Sequence, residues 1–240
     1  MENIISIIAR DISSHVEVVN IDSDNVCFNA SFDFTPVFRN EDYVGIIKKE
    51  QYLKINSIEK SITKYTENIV GYKTAIDIIL KKLSIYKFVM VVDEKGCYSI
   101  ITEADLYKQP FRVYLFNHIS NYEIAITEKF RKHFLQNEFV LEKFLSEKNS
   151  WKVKQRFEEK KSKNVEVDYF EEMDLSDKSK IFKKIGFLNK IDISGKKYDT
   201  LFEKVNNLRN EIAHSKNVSV LKDLDQLLEI IIFMKKCMKA

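Results

Sequence analysis

Two short apolar runs around a polar turn occur twice in this chain, 54 residues apart, and nothing else in the sequence restricts the fold as strongly. The first copy is Phe34-Thr35-Pro36-Val37-Phe38, a turn over Arg39 to Asp42, then Tyr43-Val44-Gly45-Ile46-Ile47. The second is Phe88-Val89-Met90-Val91-Val92, a turn over Asp93 to Gly96, then Cys97-Tyr98-Ser99-Ile100-Ile101. Apolar runs of this length on either side of a polar turn read as hairpins. The same spacing relates Ile4 and Ile8 to Ile58 and Ile62. A helix is expected after each hairpin, through Tyr52 and Leu53 in one copy and Leu106 in the other. Ile76, Ile79, Leu80 and Leu83 fall at steps of three and four and predict a further helix upstream of the second hairpin. One hairpin cannot bury both of its faces, so the two copies are expected to pack on each other.

With 240 residues there is room for a second unit of ordinary size. Only 5 Gly and 2 Pro argue against a long structureless linker. The net charge of +3 neither requires nor excludes a polyanionic partner. Cys27, Cys97 and Cys237 are far apart and odd in number, which gives no metal pair and no disulfide framework and suits a reducing cytoplasm. The apolar run Ile4 to Ile8 is too short to span a membrane and has no basic flank, so neither export nor a membrane partner is expected.

The repeat resembles a tandem pair of cystathionine-β-synthase (CBS) domains. The resemblance rests on Val91-Val92-Asp93-Glu94-Lys95-Gly96 and Ile100-Ile101-Thr102-Glu103-Ala104-Asp105-Leu106, and covers about the first 107 residues. It implies an adenine-nucleotide effector whose phosphate and ribose meet Thr102 and Asp105. A hydroxyl at a helix N-terminus suits a phosphate, and a carboxylate suits ribose hydroxyls. Thr102-x-x-Asp105 is also a capping-box variant that needs no ligand, and both readings stay open. The first copy has Lys48 and Gln51 at the matching positions, and Ser99 stands where the family usually has Gly. At most one family-like nucleotide site is therefore expected.

Pro110 suits a helix start. Phe111, Leu115, Ile119, Tyr122, Ile126, Phe130 and Phe134 then trace one face of a long helix that begins almost directly after the repeat. A second helix is expected from Asn137 past Trp151. Ser176 is expected to cap a third, which Gly186 ends. Ile191 to Lys196 reads as a turn, and a last helix as running from Ser219 to Lys239. That last helix contains Ile230-Ile231-Ile232-Phe233-Met234, apolar on more than one face, which predicts a central helix or a subunit interface. The whole reads as a bundle of four or five helices. Between Lys148 and Lys163 lie seven basic residues interleaved with Trp151 and Phe157. They suit either a phosphate-tracking surface or a solvated helix face paired with Glu147, Glu158 and Glu159.

The remaining helix carries Leu201, Phe202, Val205, Leu208 and Ile212 as its apolar stripe and ends in Leu208-Arg209-Asn210-Glu211-Ile212-Ala213-His214. Arg209 and His214 are about 140° apart on an unbroken helix, so they converge only if the helix loosens near Ala213, if the Arg wraps around, or if two chains meet. Ser215-Lys216-Asn217 reads as a stop signal. The Arg-Asn-x-x-x-His pattern before one last apolar helix resembles the HEPN (higher eukaryotes and prokaryotes nucleotide-binding) family, over about residues 111–240. That resemblance implies a metal-independent ribonuclease working as a homodimer on RNA. His214 would be the acid/base, Arg209 the phosphate clamp and Asn210 the orienting residue. It also admits, as the alternative, a non-catalytic protein in which Arg209 pairs with a carboxylate across the bundle.

The sequence therefore predicts an α+β CBS-like pair over residues 1–109 and an all-α HEPN-like bundle over 110–240. The expected function is nucleotide-regulated RNA cleavage in the cytoplasm, as in bacterial defence or toxin effectors. No metal and no required cofactor is expected. The alternative is a ligand-sensing, dimerising regulator.

Overall fold

The computed structural model describes residues 7–23, 33–64, 66–94, 98–134, 137–214, 218, 221 and 223–240. They divide into two compact units, with the break between Phe111 and Arg112.

The first unit begins with α1 (Ala9–Ile12) and two short strands, β1 (Ser14–His15) and β2 (Val19–Asn20). The first hairpin is β3 (Phe34–Arg39) and β4 (Asp42–Lys48), and α2 (Lys49–Ile55) follows. The second copy runs through α3 (Ile58–Ser61), β5 (Ile62–Thr63), β6 (Ile69–Gly71) and α4 (Ile76–Tyr86). It ends in β7 (Phe88–Val92), β8 (Tyr98–Thr102) and a 3-10 turn at Glu103–Tyr107. Asn40, with φ of 56°, makes the tight turn of the first hairpin, where a short amide side chain tolerates left-handed backbone.

Two four-stranded sheets result, in the orders β2-β3-β4-β5 and β6-β7-β8-β1. Each hairpin has a parallel strand on one edge and an antiparallel strand on the other. The antiparallel edge strand comes from the other copy: β1 completes the second sheet and β5 the first. Phe34 meets Phe88 at 4.6 Å and Phe38 meets Tyr98 at 4.4 Å, so the aromatic contacts also cross between copies. Ile46 of the first copy shares one buried cluster with Phe88, Met90 and Ile100 of the second. Pro36, which has no N–H to give, lies one residue outside the ladder that β2 makes from Val37 onward.

The spacing of 54 holds for the hairpins but not upstream of them. Ile62 opens β5, whereas Ile8 precedes α1, so the expected equivalence of Ile8 and Ile62 is wrong; Ile4 lies outside the described residues. β5 begins 48 residues after β1, because the steps from β5 to β6 and from β6 to β7 are both longer than their counterparts in the first copy.

Gly45 has a steric reason to be glycine. A Cβ there would stand 2.6 Å from Ile62 Cγ2 and 2.7 Å from the Thr63 carbonyl oxygen, against the exchanged strand β5. The backbone atom cannot swing aside as a side chain would. Gly45→Ala is expected to push β5 off β4 and to cost about 1–3 kcal/mol in urea unfolding, the usual range for overpacking.

The second unit is helical throughout, with no strand among its described residues. α5 (Gln109–His133) leads into it, followed by α6 (Asn137–Phe144), α7 (Glu147–Ser162), α8 (Tyr169–Glu172), α9 (Leu175–Lys184), α10 (Leu188–Ile191), α11 (Gly195–Ala213) and α12 (Leu224–Lys239). Leu115, Ile119, Tyr122, Ile126 and Phe130 are all buried, as is Phe111 on the first unit's side of the break. Of the apolar run in α12 only Ile232 is exposed, which makes α12 a central helix. Tyr198 stacks on Phe182 with planes 7° apart and meets Phe233 edge-on, joining α9, α11 and α12. Burial in this core pushes the Cys237 thiol up to about 12. Cys27 and Cys97 lie outside the described residues.

Four sequence expectations need correction here. The single helix from Asn137 is broken at Ser146, whose hydroxyl accepts from Asn149 N–H and starts α7. Ser176 lies inside α9, whose N-cap is Asp174. The turn over Ile191 to Lys196 is shorter than expected, because α10 ends at Ile191 and Ser194 caps α11 by accepting from Lys197 N–H. Asp223, accepting from Gln226 N–H, starts the last helix later than Ser219, which itself lies outside the described residues.

Candidate functional site

At the end of β8 the structure brings Thr102 and Asp105 together. One Asp105 oxygen accepts from the Thr102 N–H at 2.7 Å and the Thr102 hydroxyl at 3.1 Å. The other accepts from the Ser14 hydroxyl at 2.6 Å and pairs with Lys108 Nζ at 2.8 Å. Lys108 also donates to the Ile12 carbonyl at 2.6 Å and the Ser14 hydroxyl at 2.7 Å. Asp105 is only 4% exposed. A carboxylate with four internal donors has little acceptor capacity left for a ribose. This carboxylate ties exchanged strand β1 to the second sheet. In the first copy Lys48 likewise precedes a helix, α2, but makes no side-chain cap bond. Nearby, Arg10, His15, Tyr72, Asp93 and Ser99 line a cavity of about 170 Å³, below the usual size of small-molecule pockets.

In the helical unit, Arg209 lies near the end of α11 and donates from Nε to Glu123 of α5 at 3.0 Å. Asn210 and His214 are exposed. The helix ends at Ala213, and the His214 N–H closes its last turn on the Asn210 carbonyl at 3.1 Å. Ser215, Lys216 and Asn217 lie outside the described residues. Arg209 lines a groove of about 450 Å³; Asn210 and His214 are not in its lining.

That groove is dense in charge, and most of its charges are spoken for. Glu123 pairs with Arg209, Glu159 with Lys163 at 2.7 Å, Glu172 with Lys160 at 2.6 Å, and Asp174 with Arg156 at 2.9 Å. The fifth carboxylate, Glu171, pairs with Arg131, which also holds Glu128 and Asp168. The Arg156 guanidinium holds the Asp174 carboxyl below its usual range. Of the seven basic residues in the stretch, Lys154, Arg156 and Lys160 pair with carboxylates outside α7, and Lys163 pairs with Glu159 four residues back. Trp151 stays 59% exposed beside Lys152 and Lys154 at a wider opening of about 840 Å³.

Sequence reasoning missed Ser14 and Lys108, which are distant from or unremarkable beside the motif they support. It also missed Glu123 and Lys178. Lys178 had a readable signal: it interrupts the stripe Leu175, Lys178, Phe182 at helical spacing, a cation at a core position.

Among the described residues no group of His, Cys, Asp and Glu is arranged to hold a metal, and no helix is long and apolar enough to cross a membrane. The N-terminal part of the chain is similar to several solved structures. A conserved domain from Neisseria meningitidis MC58 is 15% identical, with 43% of this chain and 79% of that one covered and a TM-score of 0.36. A hemolysin-like protein containing a CBS domain, from Oenococcus oeni PSU, is 17% identical over 42% of this chain and 88% of that one, with a TM-score of 0.35. The CBS domain of a bacterial CNNM/CorC family Mg2+ transporter, in complex with ATP, is 18% identical over 41% and 83%, with a TM-score of 0.32. No protein-family profile and no curated protein matches the sequence.

Proposed function

We propose that this chain is a metal-independent ribonuclease of the HEPN type, acting as a homodimer and regulated by an adenine nucleotide at the CBS-like repeat. The observation that carries the reading is the exposed set Arg209, Asn210 and His214 at the end of α11 in an all-helical unit, with Arg209 on a densely charged groove. In this mechanism the RNA 2′-oxygen attacks phosphorus, forming a P–O2′ bond as the P–O5′ bond breaks. One His214 takes the 2′-hydroxyl proton, and a second His214, from the other copy, protonates the departing 5′-oxygen. Arg209 neutralises the phosphorane, and Asn210 orients the imidazole or a phosphate oxygen. Arg209 must exchange Glu123 for the phosphate. That pair is partly exposed, so giving it up costs no more than about 1 kcal/mol.

In the repeat, Asp105 is given the role of holding the β8 junction and strand β1 in place. The nucleotide is the ligand class that the CBS resemblance implies.

The test is single-stranded RNA with purified protein in excess chelator, with and without adenine nucleotides. Expected products end in 2′,3′-cyclic phosphate and 5′-hydroxyl. Intact RNA under every nucleotide tried would leave the non-catalytic reading. The Arg209–Glu123 pair favours that second reading, because it gives the Arg a structural task between α11 and α5.

A further inference from the structure

Lys178, in the first turn of α9, is 7% exposed, yet among the described residues it has no hydrogen bond and no ion pair within 4 Å. It lines two adjoining grooves, of about 450 and 380 Å³. Burial pulls its pKa down from the usual lysine value, while the carboxylates of Glu123, Asp168 and Glu171 push it up and Arg131 pushes it down. Its ammonium is not among the fully buried polar atoms, so a buried stem carries a cation that faces the grooves without a partner. It also sits at the positive end of a helix, which repels a cation. Asp174, the N-cap residue, does not soften this with a side-chain cap bond; its carboxylate goes to Arg156. Four of the five cations in the groove's lining are each paired with one of its carboxylates, and the fifth carboxylate, Glu171, is held by Arg131 from outside the lining, so Lys178 is the lining cation left without an ion pair among the described residues.

We propose that Lys178 is an anion-binding residue, the fixed point at which this groove holds a phosphate of bound RNA. An anion there answers both the unpaired ammonium and the helix end at once. The ligand class rests on the RNA reading given above; the anion site rests on the geometry alone. Lys178 also separates this role from the chemistry, because it lies on α9 rather than with Arg209, Asn210 and His214 on and after α11.

The test uses the full-length protein and a 2′-O-methyl RNA oligonucleotide, which lacks the attacking hydroxyl and stays uncut. Acylation of Lys178 by limiting acetic anhydride, followed by peptide mass spectrometry, reads the free amine. Bound oligonucleotide is expected to slow that acylation several-fold at low salt, because an anion raises the amine's pKa and covers it. Lys178→Gln is expected to weaken oligonucleotide binding and to lower its salt slope by about one. An unchanged acylation rate with the oligonucleotide bound would overturn the proposal, as would an unchanged salt slope in a folded Lys178→Gln protein. The two readings fail separately. Protection without RNA cleavage removes the nuclease and keeps the phosphate site, whereas cleavage without protection does the reverse.

Discussion

His214→Ala should slow RNA cleavage at least about 100-fold, the lower end of what a positioned acid/base supplies. The same change should move stability by no more than about 0.5 kcal/mol, since the side chain is exposed and only the backbone closes the helix. Loss of activity with an unchanged melting curve would therefore be chemical. Arg209→Ala should cost about 100- to 1,000-fold, the usual toll of removing one preorganised donor to a developing oxyanion. Arg209→Lys should recover little of it. An ammonium keeps the charge but not the two-armed fork that grips a phosphate. Arg209→Ala also frees Glu123, so its melting curve must be read beside the rate. A single-turnover assay on labelled RNA, with the variants at equal concentration, gives the comparison. Cleavage by His214→Ala at the wild-type rate would end the assignment of this residue, whatever the origin of the activity.

Asp105→Ala should destabilise the repeat unit by about 1.5–3 kcal/mol, because it removes a buried carboxylate that gathers four donors, while the part-exposed ammonium of Lys108 keeps its carbonyl partners. Thr102→Val, which removes one hydroxyl contact, should cost only about 1 kcal/mol. Amide exchange should localise the larger effect to β1 and β8, the strands that the Ser14–Asp105 bond holds together. The experiment decides between the two readings of Thr102-x-x-Asp105. If Asp105→Ala folds with native stability and only nucleotide affinity falls, the carboxylate serves a ligand and the structural role is refuted.

The hairpins were readable because β3, β4, β7 and β8 are five to seven residues long and apolar enough to show a pattern. The edge strands β1, β2, β5 and β6 are two or three residues long and carry no period of their own. Their positions depend on partners far along the chain, and the exchange between copies is invisible to any local window. The same limit explains the site. Thr102 and Asp105 are three residues apart and announce themselves. Ser14 is 91 residues from Asp105, and Glu123 is 86 from Arg209; those contacts exist only once the chain has folded. Helix starts slipped for a simpler reason. Several polar residues in each loop are competent caps, and tertiary pairing chose Asp174 over Ser176.

The crossing-over of β1 and β5 means that a cut in the loop between α2 and α3 would not yield two smaller domains. Each fragment would carry a three-stranded sheet with a bare edge and, elsewhere on its chain, the strand that the other fragment lacks. Such pieces are complementary by construction. Mixed together they should find each other, and kept apart each should seek a second molecule of itself, since an open strand edge is a template for pairing. The repeat is duplicated in sequence but indivisible in folding, so a change in either copy is felt in the sheet of both.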